Sequence, residues 1–171
     1  MADQKQFFDK YKDYAIASMV ETGVPASITL AQAALESGFG KSKLTTEANN
    51  FFGIKTPGCP SWKGKPAYNI YTREVVNGKD TGYNADFRRY SSPKQSFIDH
   101  GEWLKCNKRY SKLFNSYQWE SWAYGLQSAG YATDPNYALV LIGLINQYRL
   151  FEYDKIGKQK IDRRNLQWGA I

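Results

Sequence analysis

Glu36 lies within the run Ala31-Gln-Ala-Ala-Leu-Glu-Ser-Gly-Phe-Gly40, a single carboxylate behind small and apolar residues. Three features are expected to raise its pKa: apolar neighbours, partial burial and the negative end of a helix dipole. A carboxylic acid kept neutral near pH 7 can donate a proton to a leaving oxygen, and Glu36 is the candidate for that role. A lone glutamate before a glycine is ordinarily a solvated helix end, so its surroundings decide the matter. Glu74 is the second candidate. Alternation along its run of β-formers puts it on one face with Ile70, Thr72 and Val76, an unusual place for a charge unless that face borders a cleft. The plainer alternative is an edge carboxylate in water, or one paired with Arg88 or Arg89. Asp80 and Asp86 are further acids on the same stretch.

Other chemistries find little to work with. The chain has one histidine, His100, and two cysteines, Cys59 and Cys106. No metal-ligand spacing is present, and a zinc enzyme or a Ser-His-Asp hydrolase lacks the residues it needs, although His100 alone can serve one role. No metal or organic cofactor is expected. One disulfide is open to the two cysteines, but two reduced thiols are the expectation. The N-terminus carries no apolar region of the signal-peptide kind.

The elements that must position these residues follow from periodicity and punctuation. In 171 residues one domain with a sizeable core is expected. Residues 3–21 read as a helix with Phe8, Tyr11, Ala15 and Met19 on one stripe. Gly23-Val-Pro25 breaks it. Pro25 or Ser27 then starts the helix that carries Leu30, Ala31, Ala34 and Leu35 on its buried side, and Gly38 stops it. Ser42 caps a short helix. Residues 49–55 read as a turn and an extended segment: either a loop whose phenylalanines anchor it to the core, or a wall of the cleft beside Glu36 with its asparagine amides open to a ligand. Strands over 68–76 and 81–90 flank an Asn77-Gly78 hairpin turn.

Further on, Ser91 or Ser92 with Pro93 opens a helix whose inner stripe is Phe97, Ile98, Gly101 and Leu104. A turn follows near Tyr110, and a helix over 119–128 ends at Gly130. Asp134 and Pro135 open the last helix, which is apolar nearly all round from Ala138 to Ile145 and is expected to be central and buried. Beyond Asp154 the period is lost. Residues 1–154 therefore read as the domain and 155–171 as a basic tail or linker carrying Lys155, Lys158, Lys160, Arg163 and Arg164.

That tail holds much of the net charge of +7, which favours polyanions but argues against a nucleic-acid-binding body. Aromatics at 16% suit either a packed core or a groove that stacks on sugar faces. No apolar run approaches a membrane span. The fold class is α+β: a mostly helical body with a small β lobe, Glu36 in the body, Glu74 in the lobe and a cleft between them.

Four blocks in order now resemble glycoside hydrolase family 73, the lysozyme-like peptidoglycan N-acetylglucosaminidases of the autolysin and flagellar-assembly group. They are Ala31 to Gly40, Asn49-Asn-Phe-Phe-Gly-Ile-Lys55, Thr72-Arg-Glu-Val-Val-Asn-Gly78 with Phe87-Arg-Arg-Tyr-Ser91, and Gly130-Tyr-Ala-Thr-Asp-Pro-Asn-Tyr-Ala138. The resemblance implies a lysozyme-like fold and cleavage of the peptidoglycan glycan on the reducing side of N-acetylglucosamine. It implies Glu36 as general acid, Glu74 as second carboxylate and Tyr131 as a catalytic tyrosine, with Asn50, Phe51 and Tyr137 along the groove. The insert Pro57-Gly-Cys-Pro-Ser-Trp62 departs from the pattern; Trp62 there either stacks on a sugar ring or pins the loop. Peptidoglycan strands are the implied partner, with anionic wall polymers on the basic tail, no nucleic acid, no membrane insertion and a monomeric state. The implied location is extracellular, periplasmic or in the wall. Two rivals remain open: a lytic transglycosylase giving anhydro products, and a non-catalytic wall-binding module.

Overall fold

The computed structural model describes residues 2–76 and 79–168; the side chains of residues 2, 74–76, 79–80 and 168 fall outside that description. Helix α1 (Ala2–Thr22) lies against α2 (Ala26–Glu36). Its stripe Phe8, Tyr11, Ala15 and Met19 is buried as expected. Helix α2 is the centre of the molecule: every residue from Ala26 to Ala34 is buried. Pro25, with φ −53°, presets its first turn, and its small side chains let α1, α5, α6 and α7 approach. Its last turn emerges from the core, so Leu35, expected on the buried stripe, is 38% exposed.

Ser42 caps α3 (Lys43–Ala48) by accepting a hydrogen bond from the Thr45 amide at 3.2 Å. Strands β1 (Ala67–Val76) and β2 (Lys79–Arg88) form one antiparallel hairpin, with Tyr71 opposite Asn84 and Glu74 opposite Thr81. The expected Asn77-Gly78 turn lies outside the described residues. Ser92 and Pro93 open α4 (Pro93–Cys106), a 3₁₀ helix covers Lys108–Asn115, and α5 spans Trp119–Ser128. The mostly helical body with a two-stranded lobe is the expected α+β architecture.

Four expectations are corrected. Helix α6 (Tyr137–Tyr148) begins later than expected, with Asn136 rather than Asp134 as its cap. It is not central. Tyr137, Ala138, Leu141 and Ile145 face inward, while Leu139 is 58% exposed and α2 takes the buried place. Nor does the helical period stop at Asp154, because α7 runs unbroken over Phe151–Trp168. Asp154 and Gly157 are buried and Ile161 packs against the core, a spacing of three and four. Gly157 is needed there, because a Cβ at that position would run into the Met19 thioether. An inward carboxylate and an inward glycine hide this stripe from a hydrophobic count. Lastly, Cys59 and Cys106 are joined in a disulfide rather than left as thiols, with their Cα atoms 5.8 Å apart. The bond ties the 56–66 loop to the end of α4.

Candidate active site

A cleft of about 530 Å³ opens at the C-terminal end of α2. It is lined by Glu36, by Phe52 to Lys55 with Pro57, and by Trp103, Arg109 and Tyr131. The turn after Glu36 is built from the sequence outward. The Ser37 hydroxyl donates back to the Ala33 carbonyl at 2.5 Å and accepts from the Gly40 amide at 2.8 Å. Gly38, Phe39 and Gly40 then take φ of 56°, 55° and 79°, turning the chain out of the helix. Glu36 is left at the edge of the core, exposed to the cleft.

Burial raises the Glu36 pKa above the ordinary carboxylate range, and a hydrogen bond from Tyr137 works against that rise. The Tyr137 hydroxyl donates to Glu36 Oε1 at 3.1 Å and accepts from Gln32 Nε2 at 3.0 Å. Tyr137 is 1% exposed, so it stands behind the acid rather than in the groove. Its own phenol is pushed up by burial and by the neighbouring carboxylate.

Tyr131 is placed by the end of α5. The Gly130 amide donates to the Gln127 carbonyl at 3.0 Å and the Tyr131 amide to the Leu126 carbonyl at 3.0 Å, the paired bonds of a Schellman motif. Gly130 supplies the required φ of 71°. The Tyr131 ring stacks on Tyr137 at 5.5 Å between centroids, and its hydroxyl lies 3.4 Å from His100 Nε2. His100 is fully buried and stacked on Phe52 at 3.9 Å. Burial pushes its pKa down to about 3, which keeps the ring neutral.

The other sequence-derived candidates divide. Glu36 and Tyr131 share the cleft. Asn50 and Phe51, expected on the groove, are each 1% exposed and stand in the interior. The Asn50 amide donates to the Ile54 and Arg88 carbonyls at 2.9 Å each and so closes its own loop. Phe51 packs among Tyr11 and Phe97, while Phe52, one residue on, reaches the cleft. Trp62, also expected to bind substrate, lies outside the cleft and is 6% exposed. Its indole donates to the Pro66 carbonyl at 2.7 Å and the Arg88 guanidinium covers its ring at 5.0 Å, so it pins the loop. Glu74 stands on β1; its side chain lies outside the described residues.

Sequence reasoning passed over Gln32, Trp103 and Arg109. For Gln32 a signal existed: a polar residue one turn before the acid, among buried alanines. Arg109 and Trp103 reach the cleft only through the tertiary fold, and no local pattern marks them.

Residues 12–150 match the profile of the family described as mannosyl-glycoprotein endo-beta-N-acetylglucosaminidase. The peptidoglycan hydrolase FlgJ of Salmonella typhimurium is 39% identical over 160 residues, covering 91% of this chain and 49% of that protein. The exo-glucosaminidase LytG of Bacillus subtilis is 36% identical over 161 residues, covering 90% of this chain and 55% of that protein. Among solved structures, the catalytic domain of the autolysin Auto from Listeria monocytogenes superposes with a TM-score of 0.77 at 31% identity, covering 90% of this chain and 88% of that one. A truncated glycoside hydrolase domain of the Salmonella typhimurium FlgJ gives 0.69 at 39% identity, covering 85% and 97%. The chain spans about half the length of the curated relatives it matches. A profile match over most of the chain, the order of the four motif blocks and the shared fold make this chain a member of the glucosaminidase family, glycoside hydrolase family 73.

Proposed function

We propose that this chain hydrolyses β-1,4 glycosidic bonds on the reducing side of N-acetylglucosamine in bacterial peptidoglycan, with Glu36 as the general acid. The observation that supports this most is the acid itself: Glu36 stands in an open cleft, its pKa is raised by burial, and one of its oxygens is held by Tyr137. The relatives' names add an exo-glucosaminidase and a peptidoglycan hydrolase.

Glycoside hydrolysis needs a proton for the leaving oxygen and a group on the opposite side for water or for the sugar cation. Glu36 gives its proton to the glycosidic oxygen as the bond to the anomeric carbon breaks, and the bonding pair leaves with that oxygen. Water then adds its oxygen to the anomeric carbon and gives its proton to a carboxylate, Glu74 or the deprotonated Glu36. Glu74 is the proposed second carboxylate, and Tyr131 assists as a hydrogen-bond donor. A wall substrate places the reaction outside the cytoplasmic membrane. Among the described residues no helix is long and apolar enough to cross a membrane. The exposed basic residues of α7 offer a contact to anionic wall polymers.

The test is mass spectrometry of purified peptidoglycan after digestion by wild type and by Glu36→Gln. Hydrated fragments with N-acetylglucosamine at the new reducing end, absent with the variant, are expected. Anhydro products would make the chain a lytic transglycosylase, and no product from wild type would leave a wall-binding module. Because the acid must be protonated, wild-type activity is expected to fall as pH rises through the raised Glu36 pKa; a profile flat far into alkali would refute the assignment.

A further inference from the structure

We infer that Gln32 is a positioning residue which, through Tyr137, fixes the proton of Glu36 on the carboxyl oxygen turned away from Tyr137. The inference rests on Glu36 being the general acid.

The chain of contacts is short. Gln32 and Glu36 stand one turn apart on α2, and Tyr137 on α6 bridges them. The Gln32 amide nitrogen donates to the Tyr137 oxygen at 3.0 Å, and the Tyr137 hydroxyl donates to Glu36 Oε1 at 3.1 Å. A phenol has one proton to give. With an amide N–H aimed at its oxygen, the Tyr137 hydroxyl points its proton onward to Oε1. Oε1 is therefore an acceptor in both protonation states, and the acid's own proton is carried by Oε2. When that proton moves to the leaving oxygen, the Tyr137 bond is already in place to stabilise the carboxylate that results.

Gln32 is 0% exposed, and its Oε1 has no hydrogen-bond partner. A methionine or leucine would fill this space without a bare buried acceptor, so packing does not explain an amide here. What the amide adds is one directed N–H, and its target is the hydroxyl that holds the acid.

Without Gln32 the Tyr137 hydroxyl is free to turn. It then accepts from a protonated Oε1 as readily as it donates, and part of the acid's population carries its proton on the wrong oxygen. The remaining groups about the site stay as they are: Tyr131 from the end of α5, with His100 of α4 behind it, Arg109 and Tyr110 from the 3₁₀ helix, and Lys55 from the 49–55 segment.

The test is the pH–rate profile of Gln32→Met on solubilised glycan, beside wild type, Tyr137→Phe and the double variant. Gln32→Met is expected to lower kcat on the order of tenfold, part of what a positioned acid contributes, with KM little changed. Its alkaline limb should move to higher pH, because the carboxylate loses an oriented donor. In the Tyr137→Phe background the same substitution should leave the limb where it is. A limb that stays put, or moves to lower pH, overturns the inference; the second result would mean that the Gln32 carbonyl takes the Tyr137 proton. Should Gln32→Met not fold, the Gln32 side-chain amide of the wild type is followed by NMR against pH. Its signals must titrate with the Glu36 carboxyl, and a signal indifferent to that titration overturns the inference as well. An active Glu36→Gln variant would instead overturn the acid assignment on which this rests.

Discussion

Replacing Arg88 by methionine should destabilise the protein more than any single change on its surface. Arg88 is 0% exposed, at the end of β2, and it joins three segments. Its Nη1 donates to both oxygens of Asp99, at 3.1 and 2.9 Å. Its Nη2 donates to the Pro60 carbonyl at 2.7 Å and its Nε to the Lys55 carbonyl at 3.1 Å. In Arg88→Met the Asp99 carboxylate keeps only the Tyr90 hydroxyl among these partners, at 2.6 Å, and two backbone carbonyls lose their donors. Breaking a buried pair by removing one member costs about 3–5 kcal/mol. In a chain of this size each kcal/mol moves Tm by about 2–4 °C, so a fall of roughly 10 °C is expected by calorimetry. The double variant Arg88→Met/Asp99→Leu leaves no buried charge and should recover part of that loss. A single variant within about 1 kcal/mol of wild type, or a double variant no more stable than the single, would refute the reasoning. Lys55 and Pro57 line the cleft on the segment Arg88 holds, so activity should fall at temperatures where the variant is still folded.

Asp154 carries the opposite sign from an ordinary ion-paired carboxylate. Burial pushes it from 3.8 up to about 6, so between about pH 4 and 6 the folded chain holds a proton that the unfolded chain releases. Its contribution to stability is therefore lost as pH rises through that window, by about 3 kcal/mol in all; the difference between wild type and Asp154→Asn in a pH series of unfolding curves measures it, and a difference that grows with pH in favour of wild type would refute it. Reducing the Cys59–Cys106 bond opens a loop of sequence separation 47 and should cost about 4 kcal/mol by loop entropy, read as a lower urea midpoint with dithiothreitol; an unchanged midpoint refutes the pairing. Replacing Lys158, Lys160, Arg163 and Arg164 by glutamine should weaken, in a salt-dependent way, attachment to an anionic wall polymer in a pull-down while sparing cleavage of short soluble glycans, since these side chains are exposed; equal loss of both would refute a separate binding role.

What the sequence disclosed was local. The caps at Ser42 and at Ser92-Pro93, and the stop at Gly38, depend on a few neighbouring residues, and they stand where expected. Glu36 was legible because its helix end is written in the ten residues around it, whereas Tyr131 was pointed to by the resemblance, and the turn at Gly130 that places it is a feature of the fold. The Asn50-Phe51-Phe52 run was not. Successive side chains in an irregular segment point different ways, and no period says which phenylalanine enters the core. The run of α7 beyond Tyr153 was missed for a related reason: its inward positions are Asp154, Gly157 and Ile161, an acid and a glycine before a single large apolar residue. Asp154 became intelligible only with its partner, since it accepts from the Ser27 amide at 2.8 Å and hydroxyl at 2.6 Å, 127 residues away.

The environment of the acid also limits what its neighbours can do. Tyr131 is surrounded by Tyr137, Glu36 and Tyr110, and burial with those neighbours pushes its phenol well above the ordinary value of 10. Tyr137 is raised for the same reasons. Neither forms a phenolate near neutral pH, so neither takes a proton from water as a base; each acts as a neutral hydrogen-bond donor or acceptor. His100 is held neutral from the other direction, by burial without a carboxylate partner. Under the proposed mechanism, the change of protonation among the described residues of the cleft therefore falls to Glu36. The surrounding phenols and imidazole keep one charge state throughout. The group that takes the proton of water is then a carboxylate, either one from the hairpin or Glu36 itself once it has given up its proton. Replacing Tyr131 by phenylalanine should then lower kcat without moving either limb of the pH profile. A lost or displaced limb in that variant would show that the tyrosine titrates, and would refute the division of roles argued from its burial.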